Sequence, residues 1–227
     1  MIRFSPTLTP TPTFTPTPTL APTPTPTPVD DGIRPSDRTI DFEALFERNP
    51  DIIGWLSVPG TEIDYPLLKS ADNAEYLEYD VDGDENVAGA IFMDMGNDSG
   101  FSDRNTVIYG HNMKNGTMFA GLHQFEDKEF FYKNREIKLY TPAGMRTYEV
   151  IAAYPVSNRN ILYGMDYADD DVWEAYVEDI YGNKDRSANL LKKQIGEHDQ
   201  IVSLSTCVRG ESKQRYLVQG LLRRDSD

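Results

Sequence analysis

The sequence predicts a mainly β domain, built as either a barrel or a sandwich. Eight short runs rich in β-branched and aromatic residues follow one another between residues 55 and 222, separated by Gly, Asn and Pro. Runs with this spacing indicate a barrel or a sandwich, because a parallel βαβ array would place a helix between most pairs of strands. Only three helical patterns interrupt the runs, and they do not alternate with them.

The predicted strands are WLSV, TEIDYPLL, GAIFMD, NTVIYGH, EIKLYT, RTYEVIAAYPV, IVSLSTC and RYLVQGLL. Before them, Phe42, Leu45 and Phe46 recur at helical spacing. Asp41 is placed as the N-cap of that helix, and Asn49-Pro50 ends it. The interrupting helical patterns are TMFAGLHQF, DKEFFYKN and DDDVWEAYVEDIYG.

A Thr-Pro tract precedes the globular part. Residues 5–28 hold nine of the fifteen prolines in the 227-residue chain, and proline both fixes φ and removes the backbone donor. The tract therefore predicts an extended tether of roughly 75 Å, at about 3.1 Å per residue. We expect residues 1–36 to be a disordered tether and residues 37–227 to be one globular domain.

Charge and composition exclude several classes of function. The formal net charge of −15, without a basic patch, argues against nucleic acid as a partner. No apolar run approaches the roughly 20 residues of a membrane helix, and no signal peptide is recognisable, so we expect a soluble chain without its own anchor. The acidic segment DVDGDEN has its glycine at the fourth position, which predicts a solvated turn and not an EF-hand calcium site.

The single cysteine, Cys207, ends the apolar run IVSLST, and Arg215 opens the next apolar run. One cysteine excludes an intramolecular disulfide and any CxxC zinc or redox motif, so this thiol is either structural or reactive. A lone cysteine is most often a small buried hydrophobe. A reactive one needs a partner that carries protons.

Three histidines could supply that partner. His198 lies in the polar turn GEHDQ, and His123 lies in a helical pattern where a packing or surface role is expected. His111 follows TVIY through one glycine, so it stands at a strand end as Cys207 does. Cys207, His111 and Arg215 are the nucleophile, proton shuttle and fixed cation that acyl transfer through a thiol requires.

The stretches NTVIYGHNMKNGTMFAGL and SLSTC, with Arg215 in QRYLVQGLL, resemble the sortases, and within them class B. IGWLSVPGTEIDYPLLKSADNAEYLEYD and GAIFMD are similar to the entry strands of that class, so the resemblance spans residues 40–222 in the expected order. It implies a distorted eight-stranded β-barrel with N-terminal helices. It also implies a long helix, here residues 166–182, between the sixth and seventh strands.

The resemblance further implies a cysteine transpeptidase of the thiol-peptidase class. In sortases the cysteine attacks the Thr carbonyl of a sorting signal near the C-terminus of a secreted protein, and an amine then displaces the thioacyl enzyme. Carried over, Cys207 is the nucleophile, His111 exchanges protons with the two amines, and Arg215 orients the substrate and stabilises the oxyanion. The positions that match the class B peptide groove are Asn73, Leu77, Ser205 and Thr206.

The implied partners are secreted proteins that bear a sorting signal, with a peptidoglycan amine or a pilin lysine as acceptor. We expect a monomer, without metal or cofactor, on the outer face of a Gram-positive cell membrane or in its wall. Class B resemblance favours Asn-Pro-x-Thr signals over Leu-Pro-x-Thr-Gly. Val208 follows the cysteine where some class B members have an acidic residue, so this subsite differs.

Two alternative functions use the same residues differently. In a thiol peptidase, water replaces the amine and the thioacyl intermediate is the same. In a non-catalytic wall-binding or adhesin domain on a Thr-Pro stalk, Cys207 would have no acyl adduct.

Overall fold

The computed structural model describes residues 30–158, 162, 165–183 and 185–224. Eight strands form the centre of the molecule and coincide with the eight predicted runs, which confirms the mainly β class. They are β1 Ile52–Ser57, β2 Asp64–Leu68, β3 Ile91–Met93, β4 Asn105–Tyr109, β5 Glu136–Thr141, β6 Gly144–Ser157, β7 Ile201–Val208 and β8 Glu211–Leu222.

These strands close into a barrel, which settles the choice between barrel and sandwich. The order around the sheet is β6, β8, β7, β4, β3, β2, β1, β5, and β5 pairs back with β6. The pairs β2–β3 and β4–β7 are parallel, and the other pairs around the barrel are antiparallel. Closure removes the exposed edges that an open sheet would present.

The helices are few and mostly short. They are α1 Phe42–Arg48, α2 Glu75–Glu78, the 3₁₀ helix Phe119–Glu126, α3 Lys128–Lys133 and α4 Asp170–Gly182. As predicted, Asp41 caps α1, accepting from the Ala44 amide at 3.0 Å. Within the ranges that the structure describes, α1 alone precedes the barrel, where several helices were expected. No helix in those ranges is long and apolar enough to cross a membrane.

Helix α4 lies between the sixth and seventh strands, as the sequence predicts. It begins at residue 170 and not at residue 166, because the Asp169 side chain caps it by accepting from the amides of Asp171 and Val172. Its apolar face carries Trp173, Tyr176 and Ile180, which pack on the outside of β6, β7 and β8. The barrel therefore has two cores, one inside it and one beneath α4.

Strand β7 contributes to both cores in alternation. Val202 and Leu204 face the barrel interior, whereas Ile201 packs outside with α4. Because successive side chains of a strand point to opposite faces, Ser205 and Cys207 share the outer face with Ile201. The thiol therefore projects from the outside of the barrel, at the end of the strand.

A buried polar network ties α4 to four strands. Gln219 Nε2 donates to Ser203 Oγ at 2.8 Å and to the Tyr176 hydroxyl at 2.7 Å, and the Tyr154 hydroxyl donates to Gln219 Oε1 at 2.7 Å. Ser203 Oγ donates to Asn105 Oδ1 at 2.8 Å, and Asn105 Nδ2 donates to the Tyr176 hydroxyl at 3.1 Å. Buried polar groups are costly unless hydrogen-bonded, so this network favours one register of β4, β7 and β8.

Replacing Gln219 by Leu should lower the free energy of unfolding by about 2–4 kcal/mol, because its buried hydroxyl partners would lose their hydrogen bonds. Urea denaturation followed by circular dichroism measures the change. Gln124→Leu, at an exposed position, is the matched control and should change stability by less than about 0.5 kcal/mol. Equal effects of the two substitutions would contradict a stabilising network.

The segment before α1 is docked on the barrel. Ile33–Arg34 forms a two-residue strand that pairs with Met145 and Arg146 of β6. Gly32 has a φ of +70°, and a Cβ there would lie 2.7 Å from Leu222 Cδ2, so the backbone passes closely over β8. Residues 33–34, which the sequence predicts to be part of the tether, thus pair with the barrel. Residues 1–29, which hold the predicted Thr-Pro tether, lie outside the described residues.

Deleting residues 1–36 should lower Tm by about 2–6 °C relative to deleting residues 1–29, because only the longer deletion removes the strand pairing with β6. Differential scanning calorimetry of the two truncated chains measures this difference. We expect the shorter deletion to match the full chain, since a proline-rich tether contributes reach and not packing. Identical melting of the two truncations would show that the docked segment adds no stability.

Candidate active site

A cavity of about 340 Å³ opens at the end of β7. It is lined by all seven residues that the sequence predicted for the site, namely Asn73, Leu77, His111, Ser205, Thr206, Cys207 and Arg215. The other lining residues are Phe92, Tyr109, Gly110, Val156 and Asn158. Phe92, Tyr109 and Val156 were missed because strand residues with period-2 apolarity indicate core, and Gly110 and Asn158 lie just beyond strand ends. Their one available signal was position, since Tyr109-Gly110 directly precedes His111 and Val156 lies at a strand end.

Cys207 and Arg215 are cross-strand partners in the β7–β8 hairpin. Val208 pairs with Glu211 across a two-residue turn, so an unbroken register would place residue 212 opposite Cys207. A register shift between Glu211 and Arg215 brings Arg215 there instead. Directly opposite residues lie on the same face with Cβ atoms about 4.5–5.5 Å apart. The guanidinium is therefore on the thiol's side of the sheet.

The guanidinium of Arg215 is available for a ligand. Its Nη1 donates to the Gln214 carbonyl at 3.1 Å, and within the described part of the chain no carboxylate forms an ion pair with it. The charge of Arg215 also acts on Tyr109. Burial raises the pKa of the Tyr109 phenol and the hydrogen bond to Asp94 raises it further, whereas the positive charge of Arg215 lowers it. The cavity thus contains an unneutralised cation beside the thiol.

The backbone of His111 is anchored to β7 and to the 3₁₀ helix. The Thr206 hydroxyl donates to the Gly110 carbonyl at 2.7 Å, and the Phe119 amide donates to the His111 carbonyl at 2.9 Å. A Cβ on Gly110 would lie 2.4 Å from Ile91 Cδ1. A larger residue would require Ile91 and Phe119 to shift, so glycine allows this close packing directly before His111.

The His111 imidazole is oriented by a backbone carbonyl, with its Nε2 2.8 Å from the Leu77 oxygen. A carbonyl only accepts hydrogen bonds, so Nε2 carries a hydrogen in this contact and Nδ1 is left to exchange protons. In the ranges that the structure describes, no hydrogen bond joins this imidazole to the Cys207 thiol. Catalytic hydrogen bonds commonly tighten only in the substrate complex.

Asn73 uses its side chain within the protein. Its Nδ2 donates to Asp94 Oδ2 at 2.9 Å, and its Oδ1 accepts from the Met95 amide at 2.7 Å. Asp94 is 2% exposed and also accepts from the Tyr109 hydroxyl at 2.7 Å. Asn73 and Tyr109 are therefore held as parts of one wall of the cavity by a buried carboxylate that sequence reasoning missed.

The other predicted groove residues differ in what they offer. Leu77 is 40% exposed and presents an apolar side chain to the cavity. Ser205 lies on the same face as Cys207, and its hydroxyl has no hydrogen-bond partner among the described residues. Thr206 points to the opposite face and uses its hydroxyl on Gly110, so it positions the strand end. Leu77 and Ser205 are therefore the side chains free to contact a ligand.

The remaining sequence expectations can be placed as well. His198 has a side chain that is 70% exposed, as expected for a loop. The acidic segment forms a turn in which Asp80 accepts from the amides of Asp82 and Asp84. His123 does pack, since its ring stacks on Tyr216, but it also lies 3.0 Å from the Cys207 carbonyl oxygen. That second contact was not predicted.

Chemically, the site combines a thiol, a histidine and a guanidinium. Among the described residues, Nδ1 of the histidine has no hydrogen-bond partner and the guanidinium has no carboxylate partner. A thiol nucleophile, a proton carrier and a preorganised cation for a developing oxyanion are the requirements of acyl transfer. Leu77, Phe92 and Val156 give the cavity apolar walls. The arrangement therefore suits a short peptide segment with a carbonyl at the thiol.

Comparison with known proteins identifies relatives of this arrangement. The sortase domain family model matches residues 56–223. Sortase B of Listeria monocytogenes is 35% identical over 182 residues, which cover 78% of this chain and 72% of the relative. The Staphylococcus aureus sortase B–substrate complex has a TM-score of 0.72 at 27% identity, covering 81% of this chain and 85% of that one. A Streptococcus pyogenes class B sortase involved in pilus biogenesis has a TM-score of 0.71 at 27% identity. The match covers 81% of this chain and 98% of that one.

The matched region contains the whole barrel from Leu56 onward and every predicted residue of the cavity. The similarity extends over most of this chain and most of each relative, so it concerns the complete fold and not one motif. The chain therefore belongs to the sortase family, and within it to class B, and is a cell-wall transpeptidase of that family.

Proposed function

We propose that this sortase cleaves a C-terminal sorting signal after its Thr and transfers the secreted protein to an amine of the cell wall or of a pilin. The observation that carries the proposal is the cross-strand pairing of Cys207 with Arg215 in a cavity that His111 also lines. The three groups line one cavity, although His111 is distant in sequence from the hairpin that carries Cys207 and Arg215.

In the acylation step, the thiol proton of Cys207 has passed to His111, and the thiolate sulfur attacks the Thr carbonyl carbon. The carbonyl oxygen becomes an oxyanion. Arg215 can donate two hydrogen bonds from its planar guanidinium, which stabilise the oxyanion more than the neutral carbonyl. The C–N bond then breaks, His111 gives a proton to the leaving amine, and a thioester remains on Cys207.

In the second step, an acceptor amine attacks the thioester carbon and gives its proton to His111. The C–S bond breaks, the thiolate returns and a new amide is formed. Because the Leu77 carbonyl holds Nε2 of His111, we assign both proton transfers to Nδ1.

The substrate class follows from the cavity and from a relative. Apolar walls at Leu77, Phe92 and Val156 suit apolar residues of a sorting signal, and Ser205 can hydrogen-bond its backbone. The Staphylococcus aureus sortase B has been solved as a substrate complex, which supports a sorting signal as ligand here. We propose an Asn-Pro-x-Thr signal. We further propose that the protein is a monomer and acts on the outer face of the cell membrane or in the wall. Residues 1–29 would serve as its tether.

A fluorogenic Asn-Pro-x-Thr peptide, incubated with and without triglycine and analysed by mass spectrometry, tests the function. We expect a triglycine amide when the amine is present, and we expect Cys207→Ala to form no product while keeping its Tm within about 2 °C, since removing one sulfur at a strand end creates little cavity. A free acid alone, whatever the amine, would instead identify a thiol peptidase. No cleavage and no acyl adduct would favour a wall-binding domain.

Arg215→Lys should reduce kcat/KM by about 10²-fold or more, because lysine keeps the charge but loses the fork that holds two acceptors. Steady-state kinetics with the same peptide measure the loss. Arg186→Lys, at an exposed position between α4 and β7, is the matched control and should leave kcat/KM unchanged. A normal rate in Arg215→Lys would show that charge alone suffices.

A further inference from the structure

Two side chains converge on the backbone carbonyl of the nucleophile, outside the cavity that holds its thiol. Asn112 Nδ2 donates to the Cys207 oxygen at 2.9 Å, and His123 Nε2 lies 3.0 Å from the same oxygen. Asn112 Nδ2 and His123 Nε2 are themselves 2.9 Å apart. The carbonyl of one residue is thus shared between an amide and an imidazole.

The imidazole of His123 is held in place on its other sides. Its Nδ1 lies 2.6 Å from Glu126 Oε1, and its ring stacks on Tyr216 with centroids 5.0 Å apart and an angle of 28°. The ring borders a second cavity of about 470 Å³, where Lys114 and Arg209 are also found. His123 is therefore oriented like a functional imidazole, and solvent can exchange its protons.

The state of one proton decides which bond His123 makes. A carboxylate only accepts, so Nδ1 carries a hydrogen toward Glu126. When His123 is neutral, Nε2 accepts from the Asn112 amide, whose second hydrogen goes to the Cys207 carbonyl. When His123 is protonated, Nε2 must donate, and the acceptor within reach is the Cys207 carbonyl. The two arrangements exclude one another.

We propose that His123 is a positioning residue for the nucleophile, and that its protonation is coupled to the ionisation of the Cys207 thiol. This rests on the proposed function, in which Cys207 is the nucleophile. An imidazolium that donates to the Cys207 carbonyl adds a positive charge to the same residue as the thiolate. It also offsets the partial negative charge of the carbonyl oxygen. Protonated His123 therefore favours the thiolate, and loss of that proton as pH rises removes the effect.

Other groups that face His123 do not supply this coupling. Glu126 lies on the same helix and favours the protonated ring, whereas Lys114 and Arg209 approach from two turns and oppose it. Burial raises the pKa of Tyr216, and the charge of Glu126 raises it further, so the stacked phenol stays neutral. Lysine and arginine keep their charge at neutral pH.

The test uses iodoacetamide alkylation of the full-length chain from pH 5 to pH 9, measured by mass spectrometry. Cys207 is the only thiol, so the rate reports on it alone and needs no peptide substrate. A His111→Ala background leaves His123 as the imidazole next to Cys207. His123→Phe keeps a ring that can stack on Tyr216 and removes both nitrogens, and His198→Phe is the matched control at an exposed loop.

We expect the His111→Ala chain to show two coupled steps in alkylation rate against pH. Adding His123→Phe should leave a single step at higher pH, with alkylation at pH 7 slower by about 3- to 10-fold. Adding His198→Phe should change nothing. In the otherwise unaltered enzyme, His123→Phe should lower kcat by a similar factor with KM within about 2-fold. Superimposable alkylation profiles with and without His123→Phe would overturn the proposal, even if peptide cleavage proceeds as expected.

Glu126→Gln provides a second variant, should His123→Phe reduce folding. It keeps an acceptor for Nδ1 and removes only the charge that favours the protonated ring, so the step that depends on His123 should move to lower pH. An unchanged profile in a chain with the original Tm would contradict the coupling. If peptide cleavage is absent but the alkylation profile is as expected, the result would support the role of His123 and contradict only the proposed transpeptidation reaction.

Discussion

The register of β7 between β4 and β8 is the constraint on which the site depends. Tyr109 pairs with Ser205 on one side, and Arg215 pairs with Cys207 on the other. A slip of one residue would turn Cys207 into the barrel and bring Thr206 out. The buried hydrogen bond of Gln219 to Ser203 opposes such a slip, because either partner alone would be left unsatisfied. The network that stabilises the barrel therefore also keeps the Cys207 thiol on the outer face of β7.

Function is placed where the regular barrel is interrupted. The register shift after Glu211 moves Arg215 opposite Cys207, and the missing side chain of Gly110 lets the chain turn against Phe119 and bring His111 to the cavity. These local departures act at different strand ends, yet each is braced by the regular pairing beside it. Bulges near active sites commonly re-aim a side chain in this way.

The sequence predicted the parts of this molecule that depend on local pattern. Alternating apolar residues and turn residues located all eight barrel strands, and residue chemistry together with the sortase resemblance selected Cys207, His111 and Arg215. The rest depends on pairing between distant segments. A linker-like composition gave no sign that residues 33–34 would join β6, and a helical pattern gave no sign that His123 would reach the nucleophile's carbonyl. Register and long-range contacts are not encoded by periodicity.

The charge of Arg215 matters in the proposed reaction, because the thiol and the imidazole line one cavity and, among the described residues, no hydrogen bond joins them. The chain has 37 acidic and 22 basic residues, and cations such as Arg48 and Arg104 are paired with carboxylates, whereas Arg215 has no such partner in the described ranges. In the proposed acylation step, a guanidinium placed by strand pairing can stabilise the oxyanion without direct contact from His111. The imidazole can then stay on the Leu77 carbonyl, with Nδ1 free for the amines. Preorganisation of the cation by the backbone, and not a preformed thiol–imidazole bond, is thus the basis of the proposed chemistry.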